Sequence, residues 1–257
     1  MKIEFREGPI EHIQTRLLVV CGFEGAPAAN GSAECLPPTT RKILEGLQAS
    51  GELTGKALEC TLIHNPPGLA AGRLLFIGMG KKEKFALPHV ARWAGTAVRY
   101  ARGKGIHEVS WLCQSGHNKM IASETLQPLA EGAIFADYDA DKYRTDRSSE
   151  RRVDRFELLV GNEKPGRAWQ EAVDRGRIIA ESANFTRDLV NEPSNLMTPT
   201  NLADRAREMA KEFGLESQTL GPEEIRAIKM NAFWAVAQGS NEPPRLIVLR
   251  YNPDGAP

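Results

Sequence analysis

The sequence predicts an α/β layer fold with a mixed sheet, because short apolar segments alternate with amphipathic helical segments along most of the chain. The apolar segments are bounded by Gly, Pro or charge and have the length of strands. They are Ile3 to Phe5, Leu17 to Phe23, Ala57 to Ile63, Leu74 to Ile77, Val109 to Cys113 and Arg155 to Val160. The helical patterns place apolar residues at spacings of three and four, in Thr40 to Ala49, Pro88 to Arg102 and Ile121 to Ala136.

The composition is that of a globular protein without a strong charge bias. The chain has 257 residues, enough for two ordinary domains, and its 33 Lys and Arg balance 33 Asp and Glu. The N-terminus has no apolar segment of a secretory signal, and the longest apolar run, Leu17 to Phe23, is too short to cross a membrane. The four cysteines form no C-x-x-C pair, so we expect a reducing, cytoplasmic location.

The polar, Gly- and Pro-rich segment Gly161 to Gly166 predicts a linker between two domains. An α/β domain is therefore expected over residues 1–160. Residues 167–257 follow it and begin with a long helix, Arg167 to Val190.

The second segment carries clear signals for where its elements begin and end. Thr198 before Pro199 predicts a capped helix start, and Gly214 predicts its end. The periodic residues of this helix predict a buried stripe, made of Leu202, Ala206, Met209 and Phe213. Glu223 to Ile228 is expected as a short helix, and Arg245 to Tyr251 as an interior strand.

No catalytic constellation emerges from the residue types and their spacing. The histidines are isolated and lack the H-E-x-x-H spacing of a zinc site; they are His12, His64, His89, His107 and His117. Cys113 with His117 has no second pair to complete four ligands. Ser182, Ser194 and Ser240 lack the G-x-S-x-G context of a hydrolase nucleophile.

Two segments carry weak signals for phosphate binding. Gly78-Met79-Gly80-Lys81 follows a predicted strand but lacks the P-loop spacing, which favours a tight turn over a phosphate cradle. Asp141 to Arg155 alternates charges with a small excess of bases, which favours a solvated loop over a phosphate-contacting surface.

Two blocks in the last quarter of the chain resemble the entry into the catalytic domain of the leucyl (cytosol) aminopeptidases. The first runs from Arg187-Asp188-Leu189-Val190-Asn191-Glu192-Pro193 to Ala203, and the second is Ala237-Gln238-Gly239-Ser240 followed by Pro243-Pro244-Arg245 and Leu249. Less specific likenesses lie at Val20 to Ala26, Leu74 to Lys81 and Leu129 to Gly132, the last followed by Tyr138 and Tyr143. The resemblance therefore covers most of the chain.

The resemblance implies a macro-domain-like N-terminal α/β domain, followed by the truncated start of an α/β metallopeptidase domain. It further implies a metal-dependent leucyl aminopeptidase that removes N-terminal amino acids from peptides, with two divalent ions (Mn or Zn) and a homo-hexameric assembly. The family's ligands lie in G-K-G-x-x-F-D-[ST]-G-G and N-T-D-A-E-G-R stretches, which do not occur in this sequence. No catalytic, cofactor-binding or metal-ligating residue is therefore assigned to this chain, and the chain alone is expected to be inactive and to hold no metal pair.

One departure from the family pattern concerns the segment before Ala232 to Ala235. Lys229 and Asn231 stand where the family usually has Gly-Met-Gly. A left-handed backbone suits Asn but not Lys, so the local turn is expected to differ.

A second hypothesis, from a different class, stays open at the level of sequence. The chain would then be a self-sufficient macro-like module that binds a nucleotide or a nucleic acid, since some family members bind DNA through this region. A basic groove or a response to ADP-ribose would favour this alternative.

Overall fold

The computed structural model describes residues 1–28, 30–113, 123–140, 142–143, 145 and 152–253. Within these residues the chain divides into two compact units, Met1–Asn184 and Phe185–Pro257. Each unit is α/β, which confirms the predicted fold class.

The first unit is built on a six-stranded sheet in the order β1-β6-β5-β2-β4-β3. All neighbouring strands are parallel except β3, which runs antiparallel to β4. All six strands lie on predicted segments; they are β1 (Lys2–Glu7), β2 (Leu18–Gly22), β3 (Cys60–His64), β4 (Arg73–Gly78), β5 (Glu108–Leu112) and β6 (Arg155–Gly161).

Helices cover both faces of this sheet and create two apolar cores. The helices are α1 (Pro38–Ala49), α2 (Pro88–Gly103) and α3 (Ser123–Asp137), so residues 121 and 122 of the predicted third helix lie outside the described residues. On one face, buried strand residues such as Val19 and Phe156 pack with Trp93 of α2 and Leu126 of α3. On the other face, Leu44 of α1 packs into a second core with residues that include Val20 and Phe76. The alternation along each strand thus gives a sheet that is apolar on both sides, as parallel strands require.

The long helix α4 (Arg167–Asn191) matches the predicted connecting helix, and its first part packs on the first unit. Val173 and Ala180 are buried, and the Trp169 ring lies 5.9 Å from the Phe5 ring. A Cβ on Gly176 would collide with the Gln127 carbonyl oxygen of α3, so glycine permits the close approach of these two helices. The compact unit therefore extends to Asn184, beyond the linker predicted at residues 161–166, whose role as a domain boundary stays a prediction.

The second unit contains a two-stranded antiparallel sheet and three further helices. They are α5 (Pro199–Phe213), β7 (Glu216–Leu220), α6 (Pro222–Ala227), α7 (Asn231–Ala237) and β8 (Leu246–Arg250). The sequence predicted α5, α6 and β8 but not β7 or α7. β7 escapes prediction because Glu216, Ser217 and Gln218 are all exposed, which leaves no alternation of apolar and polar residues.

One sequence expectation for this unit is corrected. The predicted buried stripe of α5 is wrong at Leu202 and Phe213, which are 38% and 66% exposed. Ala206 and Met209 are half-buried, and the buried residues of the helix are Ala203 and Ala210. The apolar pattern identified the helix correctly, but its buried face is turned by one residue toward the smaller side chains. Lys229 adopts the left-handed conformation itself, with φ of 58°, and the expectation that this turn differs from that of the family stays a prediction.

Candidate functional site

The sheet of the first unit has a topological switch point between β2 and β5. The connection after β2 runs through α1 on one face, whereas the connection after β5 runs through α3 on the other. Open α/β sheets bind ligands in the crevice that such a reversal leaves at the carboxyl ends of the strands. This crevice is therefore the candidate ligand site of the first unit.

A cavity of about 50 Å³ lies at this position. It is lined mostly by apolar side chains from the ends of the strands and from α2 and α3: Cys21, Ser32, Met79, Val90, Trp93, Trp111, Leu112, Cys113, Thr125, Leu126 and Leu129. The Ser32 hydroxyl is engaged, because it accepts the Cys21 N–H at 2.8 Å. Clefts for drug-sized ligands are typically about 300–1,000 Å³, so this cavity is too small for a nucleotide.

The glycine turn after β4 closes one side of the crevice, and its backbone donors are already used. The N–H groups of Gly78, Met79 and Gly80 donate to the carbonyl oxygens of Glu59, Gly22 and Gly55, at 2.9, 2.8 and 2.9 Å respectively. A phosphate cradle needs such groups free to point at the ligand. The structure therefore supports the tight-turn interpretation. Most of the charged segment Asp141 to Arg155 lies outside the described residues.

The two cysteines of the crevice are not poised as nucleophiles. Burial raises the pKa of the Cys113 thiol to about 12. Burial also raises the pKa of Cys21 well above its usual value, with the neighbouring Cys60 and Cys113 adding to the effect. Both groups are therefore protonated thiols at neutral pH, and the thiolate is the nucleophilic form.

Two of the described histidines contact nearby backbone groups. His107 Nδ1 lies 2.8 Å from the Arg152 carbonyl oxygen, and His89 accepts the Ala86 N–H at 3.2 Å. His117 lies outside the described residues. Among the residues that the structure describes, no three His, Cys, Asp or Glu side chains form a group able to hold a metal ion.

In the second unit, the first family block builds the turn that starts α5. The Pro193 carbonyl oxygen accepts the N–H groups of Leu196 and Met197 at 2.8 and 2.9 Å. The Asn201 side chain donates to the Leu196 carbonyl oxygen at 2.9 Å, and its backbone N–H donates to Thr198 Oγ1 at 3.3 Å. This confirms Thr198 as the cap of α5.

The second block forms the turn between α7 and β8. The Ser240 N–H donates to the Ala237 carbonyl oxygen at 3.1 Å, and Ser240 Oγ accepts the Glu242 N–H at 3.1 Å. The hydrogen bonds of both blocks fix the backbone of a turn. This structural role accounts for Thr198, Asn201 and Ser240 without a catalytic function.

Two family models match these two units in order. Residues 19–147 match the N-terminal domain of the cytosol aminopeptidase family, and residues 184–257 match its catalytic domain. The chain belongs to the cytosol aminopeptidase family. Within this family the two turn blocks lie in the segment matched to the catalytic domain.

Named relatives agree with this assignment. The chain is 40% identical to a probable cytosol aminopeptidase of Solibacter usitatus, over 98% of this chain and 49% of the relative. It is 37% identical to a probable cytosol aminopeptidase of Acidobacterium capsulatum, over 100% of this chain and 52% of the relative. The chain thus spans about half the length of these curated relatives.

Solved structures show the same fold. A mutant of tomato leucine aminopeptidase superposes with a TM-score of 0.80 at 18% identity, over 97% of this chain and 50% of that chain. The bottromycin maturation enzyme BotP in complex with Mn superposes with a TM-score of 0.72 at 23% identity, over 93% of this chain and 46% of that chain. In the described part of this chain, no helix combines the length and apolar character needed to span a bilayer.

Proposed function

We propose that this chain is the front part of a leucyl-type metallo-aminopeptidase that removes N-terminal amino acids from peptides in the cytosol. The observation that carries the proposal is the match of residues 184–257 to the catalytic domain of the family, together with the match of residues 19–147 to its N-terminal domain. The names of the relatives at 40 and 37% identity support it.

The family implies a pair of divalent ions, and BotP, a structural neighbour, was solved with Mn. The described residues do not fit such a pair, since they bring no three His, Cys, Asp or Glu side chains together. A two-metal site needs several carboxylates converging on ions about 3.5–4 Å apart. We therefore propose that this chain provides the scaffold for metal ligands located elsewhere in the enzyme.

The described segment Phe185 to Tyr251 fits a scaffold role, because it leaves apolar side chains exposed. Val190, Phe213, Val236 and Tyr251 are between 66 and 87% exposed. We propose that further parts of the enzyme, including partner subunits of a hexamer, cover such side chains. The nucleotide-binding alternative gains no support from the crevice between β2 and β5, whose volume is about 50 Å³.

The experiment compares this chain with a chimera. The 257-residue chain should give only background hydrolysis of leucine p-nitroanilide with added Mn or Zn. Fusion of this chain to the second half of the Solibacter usitatus relative should restore hydrolysis, because the relative matches 98% of this chain at 40% identity. A folded but inactive chimera would contradict the aminopeptidase proposal. Chelator-sensitive turnover by the chain alone would contradict the scaffold role.

A further inference from the structure

We propose that a groove between α2 and α4 binds short peptides that carry a free amino group, a free carboxylate and an apolar side chain. Glu124 of α3 holds the amino group, and Arg175 of α4 holds the carboxylate. The inference goes beyond the proposed function, because it assigns a binding site to the first unit and involves no hydrolysis.

Three helices on one face of the sheet build this groove. α2 follows β4, α3 follows β5 and α4 follows β6, and all three contribute to the same buried core. A Cβ on Gly132 of α3 would collide with the Ala91 carbonyl oxygen of α2, and a Cβ on Gly176 of α4 would collide with the Gln127 carbonyl oxygen of α3. α3 therefore lies in close contact with both neighbours, one on each side.

The outer surface of α3 is the floor of the groove. At 3.6 residues per turn, Glu124, Pro128 and Glu131 lie on the arc of α3 between Gln127, which faces α4, and Gly132, which faces α2. The same three residues line a cavity of about 650 Å³ whose walls come from α2 and α4. This volume falls within the range of about 300–1,000 Å³ that is typical of small-molecule sites.

Two of the charged side chains in the groove already have partners. Glu131 accepts a hydrogen bond from Gln127 Nε2 at 2.9 Å, and Glu171 pairs with Arg167 at 2.7 Å.

The other two charged side chains, Glu124 and Arg175, are exposed and have no ion-pair partner among the described residues. They carry opposite charges and lie on the floor and on one wall of the groove. A ligand with both an ammonium group and a carboxylate complements the two charges together, whereas a ligand with one charge leaves the other side chain unpaired.

The backbone adds a second acceptor at the end of the groove that holds Glu124. Pro128 has no N–H, so the Glu124 carbonyl oxygen lacks the donor that a helix normally supplies from four residues on. An ammonium group has three donors, and it can therefore bind this oxygen as well as the Glu124 carboxylate. At the other end, the planar guanidinium of Arg175 suits a carboxylate, which it can bind through two parallel hydrogen bonds.

The apolar residues of the groove account for the side chain of the ligand. Leu87, at the start of α2, is 40% exposed and lines the groove together with Ala91 and Ala172. An apolar side chain of the ligand would cover Leu87, and removal of this area from water favours binding. The two alanines are small, which keeps the groove open between its walls.

The size of the groove favours a dipeptide over a single amino acid. A volume of about 650 Å³ corresponds to roughly twenty water molecules at about 30 Å³ each. A dipeptide of two leucines has about as many non-hydrogen atoms, whereas leucine has about half as many.

The test is an NMR titration of the isotope-labelled chain with leucyl-leucine. A chelator in the buffer prevents metal-dependent turnover, so that binding is measured without hydrolysis. We expect saturable shifts of groove amides such as Ala91, Glu131 and Ala172, with a Kd of about 0.1–1 mM. The amide of Leu44, in the core on the opposite face of the sheet, should not shift. Leucine should bind roughly tenfold more weakly than the dipeptide.

Modified ligands and variants then assign the two charges. N-acetyl-leucyl-leucine lacks the amine, and leucyl-leucine amide lacks the carboxylate. Each should bind the unaltered chain roughly three- to fivefold more weakly, on the scale of an exposed ion pair. Glu124→Gln should weaken binding of the free dipeptide by the same factor and become insensitive to acetylation. Arg175→Gln should do so for amidation. Both side chains are exposed, so both variants should fold.

The matched control variants are Glu45→Gln and Arg177→Gln. Glu45 is exposed on α1, which packs on the opposite face of the sheet, and Arg177 lies on α4 but does not line the groove. Both variants should bind the dipeptide as the unaltered chain does and keep its sensitivity to acetylation and amidation.

Four outcomes would overturn the proposal. They are the absence of saturable shifts, shifts centred outside the groove, an affinity for leucine equal to that for the dipeptide, and a Glu124→Gln variant that still distinguishes the free from the acetylated dipeptide. None of them bears on the aminopeptidase proposal, which the chimera tests through hydrolysis.

Discussion

Lys229 occupies a backbone conformation that favours glycine, and it does so at the end of α6. Its N–H donates to the Arg226 carbonyl oxygen at 2.9 Å, and the Met230 N–H donates to the Ile225 carbonyl oxygen at 3.3 Å. These two bonds form a Schellman motif, in which the left-handed residue is usually Gly. With φ of 58°, Lys229 carries the steric strain of a Cβ in that position.

We therefore predict that Lys229→Gly stabilises the chain by about 1 kcal/mol, the strain of one left-handed residue. The measurement is urea unfolding followed by circular dichroism. Lys211→Gly is the matched control, because Lys211 lies in the last turn of the right-handed helix α5, where Gly should cost up to about 1 kcal/mol. Equal effects of the two substitutions would contradict the argument.

Thr198 provides the second residue-scale prediction. Its Oγ1 accepts the Asn201 N–H at 3.3 Å, and the following Pro199 lacks a donor to satisfy. Thr198→Ala should lower the free energy of unfolding by about 1 kcal/mol, whereas Thr198→Ser should retain most of the stability, since serine keeps the capping oxygen. The same urea series measures both. A serine variant as unstable as the alanine variant would assign the effect to the Thr198 methyl group instead.

At the scale of elements, β8 presents an edge with no partner among the described residues. It pairs only with β7, although the sequence Leu246-Ile247-Val248-Leu249 is apolar enough for an interior strand. We predict slow hydrogen exchange for the β8 amides that donate to β7, and fast exchange for alternate amides that point to the open edge. Exchange measured by NMR checks this. Uniform protection along β8 in the monomeric chain would contradict it.

The elements show where sequence patterns suffice and where they fail. The strands of the first unit were predicted because their apolar runs are buried on both faces, as with Leu18 and Val19, which are both 0% exposed. The apolar period of α5 predicts a helix, but it does not say which side of the helix is buried. The elements that pack against α5 decide this, and they bury Ala203 and Ala210 rather than Leu202. The exposed strand β7 has no apolar period to detect.

At the scale of the whole molecule, the sequence predicts the family, but only the structure gives the order of the strands in the sheet. The two turn blocks around Pro193 and Ser240 are local, so their residue types could be recognised directly. The grouping of Cys21 with Cys113 depends on β5 lying next to β2. Four scattered cysteines with no C-x-x-C pair gave no sign of it, because a parallel pairing joins residues far apart in the chain.

The division of the molecule into units yields the last prediction. The segment 161–166 is the predicted linker, and its Glu163 is exposed, so a glutamate-specific protease should cut there. The cut should not release the rest of the chain, because Trp169 and Val173 hold the first part of α4 on the first unit, with Val173 3% exposed.

We therefore expect two pieces on a denaturing gel that co-elute in native gel filtration. Glu163→Gln is the control that removes this cut while leaving α4 in place. A chain that carries Val173→Asp would bury a charge without a partner where α4 packs on the first unit. After cleavage of this variant, the two pieces should elute separately. Preferential cleavage within Leu74 to Ala101 would refute the boundary at residues 161–166. Separation of the pieces without the Val173 substitution would show that α4 packs too weakly to define the unit that ends at Asn184.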